Sequence, residues 1–315
     1  MKRKKVLKRA LYTLLFLFVF LNVVAALHAW RFTHFTASKE TRAENPGAMG
    51  FGKKLSVALT GVPNPRPSDD AFPSVPYENV TLQSNVKLSC WYMPVYPSKG
   101  TVLLFHGYGA SRSSMLPKAY IFREAGYNVL LPDFMGAGAS EGNQVTIGYK
   151  EAGNVTTCYD YIRNKGKRRI ILAGSSMGAA AILKYARDHP QAQPAGIILE
   201  CPFGTMYETV CIRFKMVHAP VFPMAGLLVF WGGLENGFWA FDHKPADYAK
   251  AVKCPALLLF GEKDDRVTRK EIEDIFRNLG GPKQLLTFPL AGHNNYLQHY
   301  RQQWTDTVAA FLAHL

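Results

Sequence analysis

The sequence has little cysteine and no spacing typical of a metal site. Five cysteines in 315 residues are too few and too scattered to build a disulfide-held domain. No Cys-x-x-Cys or His-x-x-x-His pair occurs, so neither a metal nor another cofactor is expected. Arginine-rich helices, zinc-finger spacings and aromatic–basic RNA motifs are also missing, as are internal repeats and low-complexity arrays. A nucleic-acid partner is therefore not predicted, despite a formal charge of +14.

Acidic residues are scarce at the amino terminus, and this explains much of the net charge. Residues 31–75 carry a net charge of only +2, and a further +6 is spread over the last 240 residues, which is an ordinary surface balance. The other six charges are basic side chains within the first nine residues, with no acid among them: Lys2, Arg3, Lys4, Lys5, Lys8 and Arg9. The excess charge is thus a local cluster rather than a property of the whole chain.

One long hydrophobic run follows this basic cluster. Leu11–Trp30 contains no charged residue and is long enough to cross a hydrocarbon core of ~30 Å as a helix. A cleavable signal peptide is the alternative, with Val24-Ala25-Ala26 as a poor cleavage site. In either case the positive-inside rule leaves the basic end in the cytoplasm and sends the remainder across the membrane. The expected location is a single-pass membrane protein with an extracytoplasmic domain, or a secreted protein if cleavage occurs.

The chain divides into four predicted segments. Residues 1–10 form a basic tail, and 11–30 form the membrane helix or signal peptide. Residues 31–75 have weak periodicity and a proline-rich end, which is typical of a stalk or an N-terminal wrap. The remaining segment, 76–315, is long enough for one large domain. Within it, about 202–250 is apolar but broken by proline and glycine, and is interpreted as a cap over a pocket.

Short apolar runs alternate with helical stretches after residue 76. Continuous apolar strands of this kind indicate a mostly parallel sheet that is covered by helices on both faces, an α/β fold. The runs are KLSCWYMPV, TVLLFHG, YNVLLPD, RRIILAGSS, AGIILECP, PALLLFGEKD and KQLLTFPLAG. The predicted helices are Ser114–Ala125, Tyr149–Asn164, Gly178–His189, Arg269–Leu279 and Tyr296–Leu315.

A G-x-S-x-G motif lies where a predicted strand meets a predicted helix. In Gly174-Ser175-Ser176-Met177-Gly178, the two glycines relieve crowding at a sharp turn that exposes the middle serine. The middle position is Ser176. The motif alone is also compatible with an ordinary tight strand–helix turn, so the interpretation depends on its partners.

The expected partners of Ser176 follow later in the chain, first an acidic residue and then a histidine. Asp264 comes just after the strand PALLLFG, where a carboxylate can orient a histidine, and the neighbouring Asp265 is a competing choice. His293 follows the strand in LLTFPLAGHNNY and precedes a helix. A serine, an aspartate and a histidine, each just beyond a strand, predict a nucleophile with its base and orienting acid.

An oxyanion hole requires two backbone N–H donors beside the nucleophile. Met177 follows Ser176 directly and supplies the first. The second is expected after an early strand, where TVLLFHGYGAS places Gly107 and the amide of Tyr108. His106 in the same loop is interpreted as a residue that shapes the loop by hydrogen bonding.

Together these motifs resemble the α/β-hydrolase family, in particular the branch of serine hydrolases that includes bacterial esterases, acylglycerol lipases and related peptidases. The resemblance covers about residues 76–315 and rests on HGYG, PDFMGAGASEG, GSSMG, GEKDDRV and AGH. Its G-x-x-D-x-x-V pattern assigns the acid to Asp264, with Val267 completing it. Many relatives have D-x-R-G-x-G-x-S where this chain has Met135 in place of the arginine, which puts the bracing of that loop in doubt.

The function expected from these residues is serine hydrolysis of carboxylic esters, of the carboxylesterase or lipase type. An aromatic cap beside a membrane helix favours lipid or acyl esters as substrates, although the same aromatics also serve simply to pack the cap. A serine peptidase of the same fold is an alternative. A non-catalytic binding module on this scaffold is another, because a fold alone does not establish activity.

Overall fold

The computed structural model describes residues 2–37, 50–293 and 296–315, so residues 38–49 of the predicted stalk lie outside the described residues. The strands are β1 (Glu78–Gln83), β2 (Lys87–Met93), β3 (Thr101–Phe105), β4 (Asn128–Pro132), β5 (Ile170–Ser175), β6 (Gly196–Glu200), β7 (Ala256–Gly261) and β8 (Lys283–Phe288). The helices are α1 (Lys2–Thr33), α2 (Phe51–Thr60), α3 (Leu116–Glu124), α4 (Glu151–Asn164), α5 (Met177–Asp188), α6 (Met206–Met216), α7 (Met224–Glu235), α8 (Pro245–Tyr248), α9 (Arg269–Asn278) and α10 (Tyr296–Ala313).

The strands form one sheet in the order β1-β2-β4-β3-β5-β6-β7-β8. β1 and β2 pair antiparallel, β2 also pairs antiparallel with β4, and the six strands β3 to β8 run parallel. This confirms the predicted α/β fold. Because the chain passes from β4 to β5 on the opposite side of β3, the loops after β3 and β5 diverge. That divergence opens a crevice at the carboxyl ends of the strands, where open α/β sheets bind ligands.

Both faces of the central strands are buried, as their continuous apolar sequences predicted. In β3, Leu103 and Phe105 pack on the face that carries α4 and α5. Val102 and Leu104 point to the other face, against α3 and α10. Since alternate side chains enter different cores, every position of β3 is buried, and the strand is apolar from Val102 to Phe105.

The amino-terminal hydrophobic run forms part of one helix, α1, which continues from the basic cluster to Thr33. It is long and apolar enough to cross a membrane. Its side chains are exposed from Arg3 to Phe20, whereas Ala25 and Ala29 are fully or almost fully buried. The burial arises because the last turns of α1 pack against α7, the apolar helix of the segment between β6 and β7.

The described part of the segment before the domain contains a helix and contacts the domain. Residues 51–60 form α2, which the weak periodicity did not predict. Further on, Asp69 forms an ion pair with Arg112 at 3.0 Å, and the amide of Ser74 donates to the hydroxyl of Tyr120. These contacts join Asp69 and Ser74 to the domain, and the described residues 50–75 are called the wrap below.

Candidate active site

Ser176 lies in the tight turn between β5 and α5. Its backbone has φ +51° and ψ −109°, a conformation that L-residues rarely adopt. Such a strained conformation persists only where the surrounding structure fixes the residue. Its amide donates to the carbonyl oxygen of Glu200 at the end of β6, at 2.8 Å. The turn is thus hydrogen-bonded to the neighbouring strand, and the side chain of Ser176 remains partly exposed above the sheet.

The two glycines of the motif are required by close backbone contacts. A Cβ at position 178 would collide with the carbonyl oxygen of Phe105 in β3. A Cβ at position 174 would lie 2.6 Å from the carbonyl carbon of Gly178. Helix α5 can therefore approach β3 and β5 only because both positions lack a side chain.

The structure brings together the three residues that the sequence singled out for nucleophilic chemistry. His293 Nε2 lies 2.9 Å from Ser176 Oγ, and His293 Nδ1 lies 2.8 Å from Asp264 Oδ2. The residues follow β5, β7 and β8, so the parallel sheet places them at one edge. A serine hydroxyl that donates to a histidine, which in turn donates to a carboxylate, is the geometry of a nucleophile with a general base.

Asp264 and Asp265 have different environments. The second oxygen of Asp264 accepts hydrogen bonds from the amides of Arg266 and Val267, at 2.8 and 2.9 Å, and its side chain is fully buried. The side chain of Asp265 is 65% exposed and faces Arg266 instead. The carboxylate that contacts His293 is thus Asp264, and the valine of the G-x-x-D-x-x-V pattern helps to hold it.

The surroundings of His293 favour its charged form. Burial opposes the imidazolium, but the neighbouring Cys201 and the hydrogen-bonded Asp264 outweigh it, so the pKa of His293 is raised. Cys201 Sγ donates to the carbonyl oxygen of His293 at 3.0 Å. No pattern in the sequence indicated this contact, because Cys201 follows a different strand and occurs in no motif.

The loop after β3 runs beside Ser176. A Cβ at Gly107 would lie 3.7 Å from the Cβ of Ser176, and Tyr108 follows it in the same loop. Met177 directly follows Ser176 and is the first residue of α5, where amides have no partner within the helix. These are the positions from which the sequence predicted the two oxyanion donors.

His106 holds this loop in shape. The amide of Phe134 donates to its Nε2 at 3.0 Å, so Nδ1 carries the proton and donates to the carbonyl oxygen of Gly107 at 2.9 Å. The ring is completely buried, and burial lowers the pKa of His106. A neutral ring with both nitrogens hydrogen-bonded has a structural role, as the sequence suggested.

A buried polar cluster that sequence reasoning missed lies at Ser175, next to Ser176. The carboxylate of Glu200 accepts hydrogen bonds from Ser175 Oγ at 2.6 Å and from Trp304 Nε1 at 2.8 Å, and it is ion-paired with Lys118. Lys118 also donates to Ser175 Oγ at 3.0 Å. The cluster links the residue before Ser176 to α3, β6 and α10.

The described residues contain one group of three potential metal ligands, formed by Cys201, Asp264 and His293. Two of these side chains are already hydrogen-bonded to each other in the triad geometry. That hydrogen bond uses His293 Nδ1 and an Asp264 oxygen, so these two atoms already have a partner in each other.

The chain is similar to hydrolases in sequence. Residues 96–230 match the family model described as serine aminopeptidase, S33. A thermostable monoacylglycerol lipase from Bacillus sp. (strain H-257) is 33% identical over 215 residues, which is 61% of this chain and 82% of the lipase. The protein YqkD of Bacillus subtilis is 24% identical over 225 residues, 70% of this chain and 74% of that protein.

The fold is similar to that of solved esterases. The structure of an esterase from Pyrococcus furiosus superposes with a TM-score of 0.68 and 25% sequence identity. The match covers 79% of this chain and 96% of the esterase. It therefore includes nearly the whole of that enzyme.

Proposed function

This chain belongs to the α/β-hydrolase family, and from that premise we propose that it is a serine hydrolase that cleaves carboxylic esters through an acyl-enzyme. Its esterase and lipase relatives show the broader class, an esterase- or lipase-like hydrolase, and they support a small-molecule ester as the substrate. The observation that carries the finer proposal is the unbroken hydrogen-bonded series from Ser176 through His293 to Asp264.

The first step forms the acyl-enzyme. His293 Nε2 takes the proton of Ser176 as Oγ attacks the ester carbonyl, and Asp264 stabilises the imidazolium that results. The imidazolium then returns the proton to the leaving alkoxide, and the alcohol departs. In the second step His293 activates a water molecule, which attacks the acyl-enzyme carbonyl and releases the carboxylic acid and Ser176.

Negative charge develops on the carbonyl oxygen in both steps. The amides of Met177 and Tyr108 are proposed to bind this oxyanion. Met177 is at the amino terminus of α5, where the helix dipole also favours an anion. Gly107 allows the Tyr108 loop to pass close to Ser176, as its distance from that residue indicates.

A serine peptidase is the second candidate, because the matching family model is described as a serine aminopeptidase. The triad serves amide cleavage as well as ester cleavage. The ester proposal is preferred since a relative that is 33% identical is a lipase and a solved structure with a similar fold is an esterase.

The proposed location is the extracytoplasmic face of a membrane, with α1 retained as the anchor. The basic residues at the start of α1 support this orientation. Retention is supported by the packing of α1, because Ala25 at the alternative cleavage site is fully buried in its contact with the rest of the chain. A reporter enzyme fused at the carboxyl terminus tests the orientation, and activity of a reporter that works only in the cytoplasm would contradict it.

Labelling of the full chain in detergent by a fluorophosphonate tests the nucleophile. Ser176→Ala should abolish labelling, while the matched variant Ser175→Ala should retain it. Labelling that persists in Ser176→Ala would overturn the assignment. Parallel assays with p-nitrophenyl esters and aminoacyl-nitroanilides separate esterase from peptidase, and the absence of both turnover and labelling would indicate a binding module.

A further inference from the structure

One arginine of the cap faces the domain. In α6, Met206 is buried in the core and Val210 packs against it, and Arg213 follows three residues after Val210 on the same face of the helix. The side chain of Arg213 is half-buried, whereas Lys215 on another face of α6 is exposed. The cap therefore directs one guanidinium inwards.

Two loops on opposite sides of Ser176 lie within electrostatic reach of Arg213. Tyr108 belongs to the loop after β3, and Asp264 and Arg266 belong to the loop after β7. In the sheet, β5, which ends at the turn of Ser176, lies between β3 and β7. A guanidinium that comes from the cap and is close to both loops therefore lies above the crevice at Ser176.

The acidic side chains that interact with Arg213 already have partners of their own. One oxygen of Asp264 contacts the histidine of the triad, and the other accepts hydrogen bonds from two backbone amides. Asp265 faces the guanidinium of Arg266 at 3.8 Å. Within the part of the chain that the structure describes, Arg213 forms no ion pair, and its hydrogen-bonding contact is with the sulfur of Met216 at 3.8 Å. Most of its N–H donors are thus left for a ligand.

The guanidinium of Arg213 has the chemistry of an anion-binding group. Burial and the nearby Arg266 lower the pKa of Arg213, but an arginine stays protonated in proteins. Its five N–H donors form a planar fork that binds a carboxylate or a phosphate through two parallel hydrogen bonds. Because this charge is partly removed from water, an anion that enters the crevice stabilises it more than it would stabilise an exposed arginine.

We propose that Arg213 binds a carboxylate of the substrate, and that the protein selects esters that carry such a group near the scissile bond. The proposal rests on the proposed function, because the ester carbonyl at Ser176 determines where the rest of the substrate lies. A carboxylate is preferred to a phosphate because Asp264 and Asp265 repel anions, and a phosphate monoester carries a charge of about −1.5 to −2. A singly charged group meets less of that repulsion.

Two matched pairs of esters test the proposal, with the carboxylate placed on either side of the scissile bond. Mono-p-nitrophenyl glutarate and p-nitrophenyl pentanoate differ by a terminal carboxylate in the acyl part. 4-Carboxyphenyl butanoate and phenyl butanoate differ by a carboxylate in the alcohol part. The measurement is kcat/KM of the full chain in a neutral detergent, expressed for each pair as the ratio of the charged to the neutral ester. In Arg213→Met this ratio should fall about tenfold or more in at least one pair.

Lys215→Met is the matched control, because it removes a positive charge from the exposed side of the same helix. Its two ratios should stay within about twofold of those of the unchanged protein. Arg213→Lys keeps the charge but loses the planar fork. Its ratio should therefore lie between those of Arg213→Met and the unchanged protein.

Two results would overturn the role of Arg213. Ratios that stay unchanged in Arg213→Met would show that the charged group of the ester does not bind there, even if all four rates fell together. Equal falls in Arg213→Met and Lys215→Met would assign the effect to the overall charge of the cap. In both cases turnover of the neutral esters by the unchanged protein still supports the proposed function. If the unchanged protein hydrolysed none of the four esters, the proposed function would fail, and the role of Arg213 with it.

Discussion

Arg66 Nη1 donates a hydrogen bond to the carbonyl oxygen of Gly142 at 2.7 Å, although 76 residues separate the two. The same guanidinium donates from Nε to the carbonyl oxygen of Gly138 at 3.1 Å and also contacts that of Ser140. This loop is where many relatives carry an arginine at the position of Met135. The wrap thus provides a guanidinium to a loop whose own sequence lacks one.

Replacing this arginine should destabilise the domain. Arg66→Ala leaves three carbonyl oxygens without their charged donor, and we expect the free energy of unfolding to fall by about 1–3 kcal/mol. Chemical denaturation of the full chain in detergent measures it. The matched control is Arg168→Ala, since Arg168 is exposed, and its effect should stay within about 0.5 kcal/mol. Equal effects in the two variants would show that the loop does not depend on Arg66.

Gly178 allows helix α5 to pack against the backbone of β3 more closely than any residue with a side chain would permit. Gly178→Ala places a methyl group against the carbonyl oxygen of Phe105, which must push α5 away from β3. We expect a loss of stability of roughly 1–3 kcal/mol or more, with loss of fluorophosphonate labelling, because the turn at Ser176 moves with the helix. Differential scanning fluorimetry and labelling measure both effects.

Gly153→Ala is the matched control for this change. Gly153 lies inside α4, and a Cβ there meets nothing within 4 Å. Alanine is the better helix former, so this variant should be neutral or up to about 1 kcal/mol more stable. A Gly178→Ala protein with normal melting and labelling would contradict the packing argument.

The sheet and the three side chains of Ser176, Asp264 and His293 could be predicted from local sequence patterns. The strands that precede Ser176 and Asp264 are short apolar runs, and the burial of both sheet faces explains that pattern, whereas β8 before His293 is a partly exposed edge strand. Parallel strands have their carboxyl ends at the same edge of the sheet. Because each of the three residues follows such a strand, they were expected to lie at that edge. Strand β1 was missed because its side chains are mostly exposed and its pattern is weak.

The rest of the site depends on contacts that no local pattern encodes. Arg66 and Phe32 reach residues that are more than 70 positions away in the chain, and Glu200 meets Trp304 across 104 positions. Such contacts arise only when the helices have packed on the sheet. The choice between Asp264 and Asp265 is of the same kind, because it depends on which side chain faces His293.

The raised pKa of His293 predicts an alkaline shift of the activity profile. The base must be neutral to accept the proton of Ser176, so activity is lost as the pH falls below the pKa of His293. Asp264→Asn removes one of the groups that raise this pKa, and the acidic limb of kcat/KM should move to lower pH. Activity should also fall by roughly 10³- to 10⁴-fold, because the ring loses the carboxylate that orients it.

The rate of fluorophosphonate labelling as a function of pH measures this shift even when turnover is weak. Asp265→Asn is the matched control, because its side chain is mostly exposed and does not contact His293. Its acidic limb should coincide with that of the unchanged protein. If Asp265→Asn, rather than Asp264→Asn, moved the limb, the orienting carboxylate would have been assigned to the wrong residue.

The ion pair between Lys118 and Glu200 predicts that a second substitution will partly compensate for the loss of the first partner. Glu200→Gln keeps the shape of the side chain but leaves the ammonium of Lys118 partly buried without its carboxylate, and we expect a loss of about 3 kcal/mol in the free energy of unfolding. Lys118→Met in the same protein removes the unpaired charge. The double variant should therefore be more stable than Glu200→Gln alone, which chemical denaturation would measure. If the loss of stability in the double variant equalled the sum of the losses in Glu200→Gln and in Lys118→Met alone, the role of Glu200 would lie in its hydrogen bonds to Ser175 and Trp304 rather than in the ion pair.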